Sequence, residues 1–214
     1  MLDGFFAHQL ARPSGLFGRL VMARWLRSHT RSVNAWALDL LGMGPGDRLL
    51  EIGFGSGDLL FEVLDRDRQA RAAGLDLSEA MVEVASKRLR PFLREERCEL
   101  AQGSVEAIPF GDSGFSHLVS VNTLYFWPSP AAALAECRRV LAEGGVLLLC
   151  FDAKANLEQW AGHRFGFRLY EAPEVETLLR DAGFEVLDLH SRSFPGYGEA
   201  HCVRARAGFR AGQT

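Results

Sequence analysis

The sequence of 214 residues has no long hydrophobic run. Its longest apolar stretch covers residues 146–151, whereas a helix needs about 20 apolar residues to cross a bilayer. The opening MLDGFFAHQLARPSG carries Asp3 and has no basic region before an apolar stretch, unlike a secretory signal. We therefore expect a cytoplasmic chain without stable membrane insertion.

Cysteine is scarce, and the cysteines are not spaced as metal ligands are. The sequence contains no CxxC pair and no histidine at the distance from a cysteine that a metal site requires. The four cysteines are Cys98, Cys137, Cys150 and Cys202. We expect buried thiols, which behave as small hydrophobic side chains, and no bound metal.

Net charge is small, at −3, and unevenly distributed. Residues 1–38 and 191–214 are basic, and the centre of the chain is acidic. An acidic body disfavours a nucleic-acid groove, so we expect no nucleic-acid partner. The basic start is compatible with a membrane surface, an anionic ligand or a solvated helix face, and these alternatives stay open.

From residue 47 onward, short aliphatic runs alternate with helical segments. This alternation is typical of an α/β fold with a parallel sheet. The helices are expected over residues 58–68, 78–90 and 130–143. The last two strands are joined by SRSFPGYGEA, which has no room for a crossover helix and predicts an antiparallel pair. The strands are expected over residues 48–52, 72–75, 98–101, 116–121, 145–151, 185–190 and 201–207.

The residues before the sheet form a separate segment in this prediction. Apolar residues recur at helical spacing between residues 20 and 41, which indicates two helices with a break near residues 28–32. We expect residues 1–44 to form a helical lid over the carboxyl edge of the sheet, and residues 45–214 to form a single-core domain.

A glycine-rich turn joins the first strand to the following helix, in the sequence LLEIGFGSGDLLFEVL at residues 49–64. Such a turn lets the backbone approach a ligand closely, with the helix amides facing it. A phosphate-binding P-loop is excluded because Asp58 and Leu59, instead of Lys and Ser or Thr, follow the last glycine. A dinucleotide motif is disfavoured because Asp58 stands where GxGxxG needs its third glycine.

The remaining pattern is GxGxG, formed by Gly53, Gly55 and Gly57 and preceded by Glu51. A carboxylate at this place repels a pyrophosphate but attracts a cationic amino-acid group, which favours a zwitterionic sulfonium cofactor. A tight turn without a ligand is the alternative. Asp76, 19 residues after Gly57 at the end of the second strand, is placed to accept both ribose hydroxyls of a nucleoside.

Four motifs in this order resemble the class I S-adenosylmethionine (SAM) dependent methyltransferases, especially the small-molecule branch with the ubiquinone and menaquinone methylases. They are LEIGFGSG at 50–57, GLDLSEAM at 74–81, QGSVEAIPFGDSGFSHLVSVN at 102–122 and ALAECRRVLAEGGVLLLCF at 133–151. The resemblance implies a Rossmann-like, seven-stranded, mostly parallel sheet with a terminal antiparallel pair and helices on both faces. It also implies SAM as cofactor and S-adenosylhomocysteine as product.

The resemblance assigns cofactor contacts residue by residue. The amino-acid part of SAM would meet the glycine turn, the ribose Asp76, and the adenine Leu77 and Met81. Ser104 stands where the family often has Asp for the adenine amino group, so only a hydroxyl is available there, beside the Val105 amide. The full set is Glu51, Gly53, Phe54, Gly55, Ser56, Gly57, Asp76, Leu77, Met81, Ser104, Val105 and Asn122.

The aromatic loop after the fourth strand, NTLYFWPSP at residues 122–130, points to the acceptor site. Methyl transfer is an in-line displacement that depends mainly on alignment, so no catalytic triad is needed. We take Tyr125 as the first candidate for a catalytic polar contact and His163 as a candidate base. Substrate contacts are expected from Tyr125, Trp127, Trp25 and His29, although core packing explains such side chains equally well.

The function predicted from the sequence is methylation of an apolar or aromatic small molecule at O, N or C. Two alternatives remain: a SAM-binding protein without activity, and a nicotinamide-dependent oxidoreductase on a related sheet. The sequence does not predict the acceptor or the oligomeric state.

Overall fold

The computed structural model describes residues 2–208, which form one seven-stranded sheet in the order β3-β2-β1-β4-β5-β7-β6. Strand β7 runs antiparallel to both of its neighbours, and the remaining pairings are parallel. The predicted α/β class and the antiparallel end of the sheet are confirmed. The strands are β1 Arg48–Ile52, β2 Arg71–Asp76, β3 Cys98–Gln102, β4 Phe115–Val121, β5 Leu141–Asp152, β6 Phe184–Phe194 and β7 Gly198–Ala207.

Helices cover both faces of the sheet. Short 3-10 turns lie at Leu124–Phe126 and Ala161–Arg164, and a π-helical turn at Gly18–Met22. The α-helices are α1 Leu2–Ala11, α2 Gly15–Phe17, α3 Ala23–Leu41, α4 Asp58–Arg66, α5 Glu79–Arg88, α6 Arg90–Arg94, α7 Pro130–Val140, α8 Lys154–Glu158 and α9 Ala172–Asp181. No helix in this described part is long and apolar enough to span a bilayer.

The core has two layers because strands buried on both faces alternate their side chains. Leu118 and Leu147 point to the layer beneath α7 and α9, whereas Val119 and Leu148 point to the layer beneath α3 and α4. Strands β1, β2 and β4 are parallel to one another. Their carboxyl ends therefore lie along the same edge of the sheet, where the loops that follow them come together.

The predicted break near residues 28–32 is wrong, because α3 runs continuously from Ala23 to Leu41. Ser28 and Thr30 do not interrupt the helix, since their hydroxyls donate to the carbonyls of Trp25 and Leu26, each at 2.9 Å. The interruption lies earlier, at Pro13, which cannot continue a helix.

Helix α7 ends at Val140, three residues before its predicted end, because Leu141 already pairs with Phe115 of β4. Helix α9 was not predicted. It is marked by a reciprocal capping box between Glu171 and Glu174, a local signal that was present in the sequence.

The expectation of four buried thiols is wrong for two of them. Cys150 of β5 and Cys202 of β7 are bonded to each other across the antiparallel pair, with Cα atoms 4.1 Å apart. Cys98 and Cys137 are free and buried. Among residues 2–208, no group of three or more His, Cys, Asp or Glu side chains is arranged to hold a metal ion.

Candidate functional site

The glycine turn lies at the carboxyl end of β1 and leads into α4. Gly53, Gly55 and Gly57 all have positive φ, at 73°, 52° and 72°, a region that side-chain-bearing residues rarely adopt. At Gly53 there is also no space, because a Cβ there would lie 2.2 Å from Cγ2 of Thr123. The turn therefore brings bare backbone to the sheet edge.

Asp76, the last residue of β2, fixes this turn. Its Oδ2 accepts a hydrogen bond from the Gly55 amide and its Oδ1 accepts one from the Ser78 amide, both at 2.8 Å. Burial raises the pKa of Asp76 to about 6 despite these two bonds. Each carboxylate oxygen retains a second lone pair for a ligand hydroxyl.

Glu51 is a buried carboxylate with an unused oxygen. Only 4% of the residue is exposed, and among the described residues its Oε2 has no hydrogen-bond partner. Burial and the neighbouring charges of Asp58 and Asp76 raise its pKa well above the usual range. A cationic amino group placed here would supply both the missing hydrogen bond and the missing counter-charge.

These groups line a cavity of about 280 Å³, called here the smaller cavity. Gly57 does not line it, but caps the start of α4 and packs against Ala85 and Leu89. The other predicted cofactor residues all contribute to its wall, namely Glu51, Gly53, Phe54, Gly55, Ser56, Asp76, Leu77, Met81, Ser104, Val105 and Asn122. The cavity therefore unites residues from four separate stretches of sequence.

At the far end of the smaller cavity, Ser104 follows β3. Its hydroxyl accepts a hydrogen bond from the Glu106 amide at 3.2 Å, which holds the side chain in a local turn. Met81 of α5, another residue of this wall, is fully buried, while Leu77 is exposed.

The N-terminal segment closes the smaller cavity more directly than the sequence predicted. The Ser78 hydroxyl donates to the Pro13 carbonyl. The guanidinium of Arg27 contacts the carboxylate of Asp58 at 3.1 Å. The wall residues from this segment are Leu10, Ala11, Pro13, Leu26, Thr30 and Asn34.

A larger cavity of about 600 Å³ adjoins the smaller one. The two have five wall residues in common, namely Leu10, Leu26, Thr30, Asn122 and Phe126. Asn122 follows β4 with a positive φ of 59°, a conformation that Asn tolerates better than most residues. The two cavities thus meet at the carboxyl end of β4.

A network of polar side chains crosses this junction. The Tyr125 hydroxyl donates to Oδ1 of Asn122 at 3.1 Å and accepts from the Asp152 amide. Nδ2 of Asn122 donates to the Tyr197 hydroxyl at 2.6 Å, and the Tyr197 and Asp152 side chains are hydrogen-bonded. Burial beside Asp152 raises the pKa of Tyr125 well above its usual range, so this hydroxyl stays protonated.

Asp152 and Tyr197 are functional candidates that sequence reasoning missed. Asp152 ends β5, and Tyr197 lies in the turn between β6 and β7. Burial raises the pKa of Asp152 to about 6, and its Oδ1 has no partner among the described residues. The available signal was the acidic residue directly after the run VLLLCF, at a strand end that the predicted sheet places beside Asn122.

The four predicted substrate and catalytic side chains beyond Tyr125 lie in three different places. Trp25 and His29 line the larger cavity, with their rings stacked at 4.5 Å. Trp127 lines the smaller cavity instead, and its indole N–H donates to Thr123 at 3.1 Å. His163 lines neither cavity, and its Nδ1 lies 2.7 Å from the Trp160 carbonyl oxygen.

A family model described as a methyltransferase domain matches residues 50–149. The ubiquinone/menaquinone biosynthesis C-methyltransferase UbiE of Paracoccus denitrificans is 32% identical over 176 residues, covering 80% of this chain and 70% of that protein. The uncharacterised methyltransferase YdaC of Bacillus subtilis is 27% identical over 169 residues, covering 78% and 88%.

Solved structures show the same fold. A chain from the complex between the Haloferax volcanii Trm112 methyltransferase activator and a methyltransferase superposes with a TM-score of 0.78 at 21% identity. The superposition covers 90% of this chain and 95% of that one.

Proposed function

The chain belongs to the class I SAM-dependent methyltransferases and is similar to the ubiquinone and menaquinone methylases, and we propose that it methylates a small molecule bound in the larger cavity. The single observation that carries this proposal is the junction at Asn122. There, a cavity built around two buried carboxylates opens into an apolar cavity large enough for a small-molecule acceptor.

The smaller cavity fits the cofactor by its chemistry. In this proposal the unpartnered oxygen of Glu51 receives the amino group of SAM, and the second lone pairs of Asp76 receive the ribose hydroxyls. Leu77 and Met81 flank the adenine, with Ser104 and the Val105 amide at its polar edge. Asn122 lies beside the sulfur, at the opening towards the larger cavity.

When bound, SAM supplies an electrophilic methyl group on a positively charged sulfur. The chain's own part is to align the acceptor with that group and to keep water out. Alignment alone supplies about 7 to 11 kcal/mol when two reactants are held in a reactive geometry. The Tyr125–Asn122–Tyr197 network holds the junction rigid, because each hydroxyl or amide is bonded to another side chain or to the backbone.

We propose that residues 1–44 act as a lid over the domain formed by residues 45–214. Leu10, Leu26 and Thr30 of this segment line both cavities. A bound cofactor and a bound acceptor would therefore be covered by the same segment, which excludes water from the displacement.

The test is turnover by the purified full-length protein. We expect SAM to bind in calorimetry, and S-adenosylhomocysteine to form when the protein is incubated with a panel of phenols, quinols, alcohols and amines. Cofactor binding without product for any acceptor class would favour a non-enzymatic SAM-binding protein. Binding of NADH with no heat from SAM would overturn the proposal.

A further inference from the structure

The wall of the larger cavity combines aromatic rings with negative charge. Asp3 and Asp152 are its carboxylates, and this part of the described chain contributes no lysine or arginine to the wall. Its histidine, His29, has a pKa lowered by burial and is neutral at pH 7. The aromatic residues of the wall are Phe6, Trp25, Tyr125, Phe126, Trp160, Phe167 and Tyr197.

Within residues 2–208, no cationic side chain lies against the carboxylate of Asp152. Tyr197 supplies a neutral contact to the carboxylate, the Tyr125 hydroxyl bonds the backbone amide of Asp152, and Asp3 of the same cavity wall has the same sign of charge. The nearest cation along the chain, Lys154, lies with its Nζ 3.6 Å from the carboxylate of Glu171. A carboxylate that has one buried oxygen without a partner and no counter-charge is unfavourable, and a ligand cation would relieve that cost.

Resting on the proposed function, we propose that the methyl acceptor is an amine with an apolar body, bound through its nitrogen to the Asp152 carboxylate. The aromatic rings suit this class, since an ammonium ion is attracted to ring faces within about 6 Å. Carboxylate and phosphate acceptors are disfavoured, because they would enter a cavity that already holds two carboxylates and no fixed cation.

The reaction balances with Asp152 as the base. The amine enters as an ammonium ion and gives one N–H proton to the Asp152 carboxylate. The nitrogen lone pair forms the N–C bond as the C–S bond of the sulfonium breaks. The electron pair of the broken C–S bond stays on sulfur. The products are the N-methylammonium ion, neutral S-adenosylhomocysteine and protonated Asp152, which returns its proton to water after product release.

The experiment compares three probes with one apolar body and different head groups: 3-phenylpropylamine, 3-phenylpropanol and 3-phenylpropanoate. Their binding to the full-length protein saturated with S-adenosylhomocysteine is measured by calorimetry. We expect the amine to bind at least about tenfold more tightly than the alcohol, and the carboxylate to bind most weakly. Equal or tighter binding of the alcohol or the carboxylate would overturn the amine assignment.

Asp152→Asn is the decisive variant, because it keeps the shape of the side chain and removes its charge. We expect it to weaken the amine at least about tenfold while SAM affinity stays unchanged. The matched control is Asp181→Asn, an exposed carboxylate at the end of α9, which should alter neither. Unchanged amine affinity in Asp152→Asn would contradict the proposal.

The pH profile separates a charge role from a structural one. Because the pKa of Asp152 is about 6, amine affinity in the native protein should fall as the pH drops below this value, and Asp152→Asn should abolish that dependence. If Asp152→Asn does not fold, Asp152→Glu serves instead and should retain the preference for the amine; loss of that preference counts against the proposal. If the protein without substitutions does not bind SAM at all, that result would instead refute the proposed function itself.

Discussion

At the scale of single residues, Glu51 has a buried carboxyl oxygen that no other described residue satisfies with a hydrogen bond. Replacing Glu51 by Gln removes a buried carboxylate whose Oε2 has no hydrogen-bond partner among residues 2–208. We expect SAM to bind at least about tenfold more weakly, since a charge-assisted bond contributes roughly 1.5 to 3 kcal/mol. Thermal unfolding of the cofactor-free variant should occur at no lower temperature than that of the native protein.

The control is Glu99→Gln, which neutralises an exposed carboxylate on β3 and should change neither quantity. Calorimetry measures the SAM affinity of both variants, and thermal scans measure their unfolding temperatures. An unchanged dissociation constant for Glu51→Gln would place the amino-acid end of the cofactor elsewhere.

Asp76 gives a second prediction at this scale, on pH. Its pKa is raised from 3.8 unfolded to about 6 folded, so the folded, cofactor-free protein binds more protons between these values. This residue therefore makes a contribution to the free energy of unfolding that decreases as the pH rises through that window. Cofactor affinity should change in the opposite direction, because the ionised carboxylate binds the ribose hydroxyls more strongly.

We accordingly expect SAM to raise the unfolding temperature more at about pH 7.5 than at about pH 5. Thermal scans with and without cofactor measure this difference. Asp76→Asn should flatten it, and an equal shift at both pH values would show that protonation of Asp76 is not linked to binding.

At the scale of the element, the glycine turn combines a backbone requirement with a spatial one. We expect Gly53→Ala to abolish SAM binding and to lower stability, because it places a Cβ 2.2 Å from Thr123 in addition to imposing a positive φ. Gly46→Ala is the matched control, since its φ is +85° and nothing lies within 4 Å of the added Cβ. The control should lose only about 1 to 2 kcal/mol of unfolding free energy.

Denaturant unfolding and cofactor titration compare the two variants. If Gly53→Ala and Gly46→Ala lose similar amounts of unfolding free energy, the left-handed backbone, and not the close approach of Thr123, is what requires glycine.

A further prediction concerns two helix N-caps. Ser78 caps α5 by accepting from the Met81 amide, and Ser129 caps α7 by accepting from the Ala132 amide. Replacing either with Ala should cost about 1 kcal/mol of stability. Only Ser78→Ala should also weaken SAM, because only Ser78 donates to the Pro13 carbonyl. Equal SAM affinities in the two variants would show that this tie does not matter for binding.

The elements differ in how well local sequence predicts them. The strand, glycine turn and helix around residues 48–66 were predictable because each carries its own periodicity or backbone requirement. The course of α3 was not, since Ser28 and Thr30 resemble a break but bond back to their own helix. Asp152 had a local signal in the acidic residue after VLLLCF, whereas Tyr197 becomes a functional candidate only through the pairing of β7 with β5 and β6, which no local pattern encodes.

At the scale of the whole molecule, the bond between Cys150 and Cys202 links strands 52 residues apart. We expect Cys150→Ala combined with Cys202→Ala to lower the free energy of unfolding by about 2 to 4 kcal/mol. When the protein without substitutions is unfolded in denaturant and alkylated without reductant, mass spectrometry should find label on Cys98 and Cys137 alone. Labelling of all four cysteines would show that the bond is absent.

The N-terminal segment was predicted to lie over the carboxyl edge of the sheet, and its residues Pro13 and Asn34 line the smaller cavity. Its helical periodicity was visible in the sequence, but the partners of Pro13 and Arg27 were not, because Ser78 and Asp58 lie at the starts of α5 and α4, far along the chain. Contacts between residues this far apart in sequence form only when the whole sheet brings the two segments together.

One kinetic consequence follows from the carbonyl of Pro13 resting on Ser78. Under the proposed lid role of residues 1–44, the spent cofactor and the methylated product would both leave beneath the same segment. One shared opening event would then end each turnover and set an upper limit on its rate, however fast the displacement itself becomes.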